Sequence, residues 1–340
     1  MTPIASPVIA RPGSGAGLLR VLRRSDSLAA LTALVIVGVL ASFNPAILSV
    51  AQLFDLARNA LSPALMALGV LLVLLAGGID VSFTAIAAFS MYATVLVGLK
   101  TGLPMIGLIA LALGIGGVLG LVNGVLIAAL RVPTLIVTLG TLSLFRGALL
   151  TFLGTTYIGD LPATMDRFAR ARLFEIQDRN GISYSLPASF LAVVIVAGLL
   201  ASALRWTIWG RRIYALGGSE VAAERIGVPL ASTKIAVFAV AGALSGLAGV
   251  LHAAQARLAN PFDFVGSELE VIAAVVVGGA RITGGHGSVA GTLIGIFLIT
   301  LIHTSLLSIG VPSYWETAVV GALIVFGAAL PIAIAKRRLE

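Results

Sequence analysis

The chain contains no cysteine. Disulfides, thiolate metal sites and cysteine nucleophiles are excluded at once. Three histidines without a cysteine beside them leave little from which to build a structural zinc site. Lysine is almost as scarce. Lys100, Lys234 and Lys336 follow Leu99, Thr233 and Ala335, whereas a phosphate-cradling P-loop needs a Gly-Lys pair followed by Ser or Thr, so the chain has no P-loop. Charge of either sign is sparse: 11% of residues are charged, against about a quarter in a soluble domain. What fills the gap is apolar. The 340 residues are 59% hydrophobic, and mean hydropathy is +1.09. Too few polar side chains exist to cover a water-facing surface. The net charge of +8 points first to nucleic acid, but the cytoplasmic loops of membrane proteins also carry excess Lys and Arg.

A spanning helix needs about 20 mostly apolar residues. Residues 1–27 are polar and basic, with Arg20, Arg23 and Arg24 at their end, and read as a cytoplasmic tail. Apolar runs follow at roughly 28–43, 60–77, 83–99, 105–129, 133–155, 187–204, 232–255, 267–280, 288–309 and 315–335. The first reads as an uncleaved anchor because more membrane follows it. The expected fold is an all-α polytopic membrane protein with about ten transmembrane helices. The second, third and eighth, short or interrupted by Gly, also read as half-helices or re-entrant segments. Residues 44–59 have room for a short interfacial helix. Residues 28–335 then form the transmembrane domain, and 336–340 a second cytoplasmic tail.

Charge fixes the expected orientation. With the N-terminus inside and spans alternating, fourteen of the Lys and Arg residues fall inside and seven outside, with Arg146 left within a span. That excess places both termini in the cytoplasm. Loop 156–186 is then periplasmic. Its charged run Asp166–Arg172 suits a surface helix, either merely solvated or a docking platform for an extracellular partner.

Loop 205–231 is cytoplasmic in this scheme. Gly217 and Gly218 are expected to break the chain there. Ser219 is a good N-cap, and Glu220 suits the positive start of a helix. Val221 to Ile226 supply two turns, Gly227 a stop, and Pro229 lies beyond it. Two turns alone are marginal in water, so this helix is ordered by packing, either on the protein's own membrane face or in a groove on a partner.

Charges at membrane depth are costly and demand an explanation. Asp80, after Gly77-Gly78 and before Ser82, reads as a helix cap, or else as a polar pore-lining residue or a partner for an arginine. Asn123 and Arg146 are further polar candidates for the pore or for packing. Glu268 and Glu270 suit the start of the eighth span. His252 and His303 read as hydrogen-bonded packing residues. The glycines of 278–291 could be taken for a nucleotide loop, but no strand precedes them; a tight turn with close helix packing is the plainer account. Gly242, Gly246 and Gly249, at helical spacing, read the same way.

Four segments carry a resemblance. G-R-R-I-Y-A-L-G-G-S-E-V-A-A-E-R-I-G-V at 210–228 resembles the cytoplasmic loop of the branched family of permeases that serve ribose, other monosaccharides and autoinducer-2. GGIDVSF at 77–83 resembles that family's Gly-Gly-Ile-Asp-Leu-Ser element. NGVLIAALRVPTLIVTLGTLSLFRG at 123–147 and VVVGGARITGGHGSVAGTLIG at 275–295 resemble its Asn-Gly and glycine-rich stretches. They occur in order, from about residue 30 to 335. The resemblance implies a bacterial inner-membrane permease subunit of an ATP-binding-cassette importer, not an enzyme. It implies a dimer with an identical or paralogous permease, two separate ATP-binding subunits and a periplasmic sugar-binding protein. ATP would be bound by those subunits, so no cofactor is expected in this chain, and no metal and no nucleic-acid partner. Its coupling loop would fall on Gly210, Ala215, Gly217, Ser219, Glu220, Ala222, Ala223 and Gly227. The alternative is a secondary transporter of a small polar solute driven by an ion gradient, which would need an intramembrane carboxylate such as Asp80. A membrane enzyme finds no nucleophile–base pair or metal cluster to support it.

Overall fold

The computed structural model describes residues 49–177 and 183–308, with a few isolated positions on either side. The expected spans 28–43 and 315–335 and both terminal tails lie essentially outside the described residues.

The order of elements is α1 (Val50–Asn59), α2 (Leu61–Leu75), α3 (Phe83–Thr101), α4 (Met105–Leu130), α5 (Thr134–Ala148) with a π-helical turn over Leu149–Leu153, α6 (Ala163–Arg170), β1 (Arg172–Gln177), β2 (Ser183–Pro187), α7 (Phe190–Trp206), α8 (Ile208–Gly218), α9 (Glu220–Arg225), α10 (Leu230–Ala256), α11 (Glu268–Val277) and α12 (Val289–Ser308). Among the described residues, four helices are long and apolar enough to cross a membrane: α3, α4, α5 with its π turn, and α10. The number rises to six if α1 with α2, bent by 51°, and α7 with α8, bent by 75°, each count as one span.

The centre of the bundle is α2. All of its residues except Pro63 are buried, as expected of a helix that is apolar all round. α3 and α10 are also largely buried. α4 lies along α10 through a seam of small residues: a Cβ at Gly116 would overlap Gly242 O, and one at Gly120 would overlap Phe238 O. In lipid, where apolar side chains gain nothing by leaving solvent, such close backbone contact is what holds helices together. The glycines at 242, 246 and 249 thus pack helices as their spacing predicts, the first two on α4 and Gly249 on Ala87 of α3.

α11 is ten residues, about 15 Å at 1.5 Å per residue, too short to cross alone. It forms a hairpin with α12 in which Gly278 and Gly291 meet backbone to backbone. Gly279, Gly284 and Gly285 adopt positive φ in the intervening turn. The tight turn and close packing expected of 278–291 are both present.

Two local readings change. The run Asp166–Arg172 is helical only to Arg170; an antiparallel hairpin of β1 and β2 follows, with Glu175 opposite Ser185. Gly217 and Gly218 do not break the chain. α8 runs through both, and the break falls one residue later at Ser219, whose φ of −164° and ψ of 114° are extended.

Candidate coupling face and membrane-depth polar clusters

At the start of α8, the Thr207 side chain accepts a hydrogen bond from the Gly210 N–H at 3.1 Å. Gly210 is required at the 75° corner, because a Cβ there would strike the backbone of Leu204. Ile213 and Leu216 are buried beneath α8, while Arg211 and Arg212 stay exposed.

α9 follows after a single residue. Ser219 caps it by accepting from the Ala222 N–H at 3.3 Å, and Glu220 lies in its first turn. Gly227, at φ +80°, stops it, with the Val228 N–H donating back to Ala223 O at 3.0 Å. Lys234 Nζ of α10 reaches Glu220 Oε1 at 2.6 Å. Only Ala223 is buried. Val221 and Ile226 are 61% and 75% exposed. The protein's own surface therefore accepts one small side chain of α9 and leaves its two large apolar ones uncovered. Gly210, Gly217, Ser219, Glu220, Ala222, Ala223 and Gly227, with Ala215 partly buried on α8, form one continuous feature.

The second feature is the break between α2 and α3. Asp80 is buried, and its Oδ1 accepts from both the N–H and the hydroxyl of Ser82 at 2.7 Å. Ser82 precedes α3, so the carboxylate organises the start of that helix. Asn123 of α4, fully buried, donates from Nδ2 to Ser82 Oγ at 2.7 Å. On the other side of the break, the Ile79 N–H donates to Thr134 Oγ1 at 2.8 Å, and the Thr138 hydroxyl donates to Ile79 O at 3.2 Å. The freed backbone is thus satisfied by α5, as unwound backbone at membrane depth requires.

Arg146 is not brought to Asp80. Its Nη2 lies 3.2 Å from Glu268 Oε1, which also accepts the Thr84 hydroxyl at 2.7 Å. α3, α5 and α11 converge on that carboxylate. His252 and His303 sit within bonding distance of carboxylates, at 3.1 Å from Asp263 and 2.9 Å from Glu270.

The sequence reading singled out Asp80, Asn123 and Arg146 but missed Ser82 as the link between the first two. It also missed Thr134 and Thr138; their i, i+4 spacing, which puts both on one face of α5, was the available signal. Glu268 as the partner of Arg146 lies 122 residues away and had no local signature. Among the described residues, no group of three His, Asp or Glu is placed to hold a metal ion. Most of the polar groups here satisfy one another and a broken helix, the buried Asn123 Oδ1 being left without a partner.

A bundle of apolar helices with glycine seams and a buried polar helix break suits a multi-pass membrane protein. Residues 52–328 match the family described as branched-chain amino acid transport system / permease component. The chain belongs to that family and resides in the inner membrane. It is 32% identical over 303 residues to the autoinducer 2 import system permease protein LsrC of Enterobacter sp. strain 638, covering 89% of this chain and 85% of that one. It is also 32% identical over 305 residues to the ribose import permease protein RbsC of Escherichia coli strain K12, covering 89% and 92%. LsrC of Escherichia coli O9:H4 strain HS matches at 32% over 323 residues, 93% and 91% of the two chains. No solved structure matches the chain.

Proposed function

We propose that the chain forms the translocation pathway of an ATP-binding-cassette importer for a monosaccharide or autoinducer-2. It pairs with a second permease, takes solute from a periplasmic binding protein and is driven by two separate ATP-binding subunits. Both termini and residues 205–231 face the cytoplasm, residues 156–186 face the periplasm, and about ten helices span the membrane within 28–335.

The observation that carries this reading is α9. A two-turn helix that exposes Val221 and Ile226 between two apolar helices is the pattern of a segment inserted into a partner's groove. The absence of a Gly-Lys pair supports nucleotide hydrolysis by another chain. The names of the relatives, a ribose and an autoinducer 2 import permease, support a small hydroxylated solute. Asp80 favours a structural role over ion coupling, since Ser82 supplies both of its hydrogen bonds.

The test is reconstitution in proteoliposomes with and without the ATP-binding subunits and the binding protein. Uptake of ribose or autoinducer-2 that requires ATP and all components is expected. Uptake by this chain alone, abolished by an uncoupler, would instead establish the gradient-driven alternative.

A further inference from the structure

Three glycines distant in sequence touch through their backbones. A Cβ at Gly77 would lie 3.5 Å from Gly217 Cα. One at Gly284 would lie 2.7 Å from Gly217 O and 2.8 Å from Gly77 Cα. One at Gly217 would overlap Leu75 O and sit 2.6 Å from Gly285 N. The Gly285 N–H donates to Leu75 O at 3.0 Å, and the Tyr214 hydroxyl donates to Gly287 O at 3.0 Å. Leu75 is the last residue of the buried α2, Gly217 lies two residues before the Ser219 cap of α9, and Gly77 lies three before Asp80.

We infer that this contact of Gly77, Gly217 and Gly284 is the joint through which displacement of α9 reaches the Asp80 break. The inference rests on the coupling role proposed for α9. Side chains absorb small displacements by changing rotamer. No side chain lies between these segments, so a shift of α8 bears directly on the backbone of Leu75 and Gly77. Packed interiors switch between discrete arrangements rather than deforming gradually. The break passes the shift on, through Ile79 to Thr134 and Thr138 of α5 and through Ser82 to Asn123 of α4. Gly217, Gly284 and Tyr214 are on this account positioning residues for transport.

Gly218 supplies the control: it adjoins Gly217 on α8, yet a Cβ there meets nothing within 4 Å. The experiment uses the complete transporter in proteoliposomes and compares Gly217→Ala, Tyr214→Phe and Gly218→Ala. It measures co-purification of the ATP-binding subunit, the ratio of binding-protein-stimulated to basal ATPase activity, and maleimide labelling of an Ile79→Cys probe with and without a non-hydrolysable nucleotide. This chain has no cysteine of its own, so Ile79→Cys is its single thiol, and labelling is read on this chain after it is separated from its partners. Gly217→Ala is expected to keep the ATP-binding subunit, lose at least fivefold in the stimulation ratio and lose the nucleotide-dependent change in labelling, while Gly218→Ala keeps all three. A Gly217→Ala transporter that retains its stimulation ratio and labelling change overturns the proposal, as does an equal loss in Gly218→Ala. Should Gly217→Ala not assemble, Tyr214→Phe decides. A fall of twofold or more in the ratio supports the joint, and an unchanged ratio overturns it. Val221→Arg tests the underlying role of α9 separately, through loss of the ATP-binding subunit from the purified complex.

Discussion

Replacing Ser219 with Ala removes the side chain that accepts the Ala222 N–H at the start of α9. Loss of such a cap costs about 1 kcal/mol. A long helix embedded in a core would absorb that change, but α9 has six residues and one buried side chain, Ala223. The Glu220–Lys234 pair adds little, because Glu220 is 54% exposed and surface pairs of this kind contribute about 0–1 kcal/mol. The helix is therefore marginal on its own, and under the proposed function the energy of ordering it is drawn from contact with an ATP-binding subunit. About 1 kcal/mol of lost cap then appears as an approximately fivefold weaker Kd for that subunit. Titrating the ATP-binding subunit against permease in nanodiscs and reading stimulated ATPase activity gives this Kd. The account expects a shifted midpoint with an unchanged plateau, and recovery in Ser219→Asp, which restores an acceptor at the cap. A Kd unchanged within twofold in a correctly folded Ser219→Ala variant refutes the reasoning.

Arg146→Leu leaves Glu268 with only the Thr84 hydroxyl at a part-buried site and is expected to cost about 2 kcal/mol, less than a fully buried pair because Arg146 is 28% exposed. Thermal unfolding in detergent should show a Tm lowered by several degrees, partly restored by adding Glu268→Gln. Gly116→Ala drives a Cβ into Gly242 O and should reduce the yield of monodisperse permease in size-exclusion chromatography. Gly114→Ala, on the same helix with nothing within 4 Å, should not. Asn123→Leu deletes both the donor to Ser82 and an Oδ1 that has no partner in the structure, so its stability should change by less than about 1 kcal/mol. Asn123→Asp, which adds a carboxyl beside the Asp80–Ser82 pair, should be the less stable of the two by the same Tm measurement.

Local signals carried much of the fold. Hydrophobic length located α2, α3, α4, α7, α10 and α12 to within a few residues. Capping chemistry located α9 to within one residue at each end, from Ser219, Glu220 and Gly227. Glycine was the weaker guide. Gly217 and Gly218 read as a chain break, yet α8 continues through them, because Gly217 is small to let Leu75 O approach rather than to permit an unusual backbone angle. The hairpin of β1 and β2 was hidden for another reason. β1 is exposed along its whole length, so no burial pattern marks it, and the preceding charges suggested a continued helix. The pairing of Arg146 with Glu268 and the meeting of Gly77, Gly217 and Gly284 depend on how separate helices pack. No single segment carries that information.

The central claim is that α9 is a cytoplasmic helix held by an ATP-hydrolysing partner. Val221→Cys, a highly exposed site in a chain with no other thiol, tests it with a membrane-impermeant maleimide applied to oriented vesicles. The account predicts labelling from the cytoplasmic face alone, and protection once the ATP-binding subunit is added. Labelling from the periplasmic face, or labelling indifferent to that subunit, would contradict it.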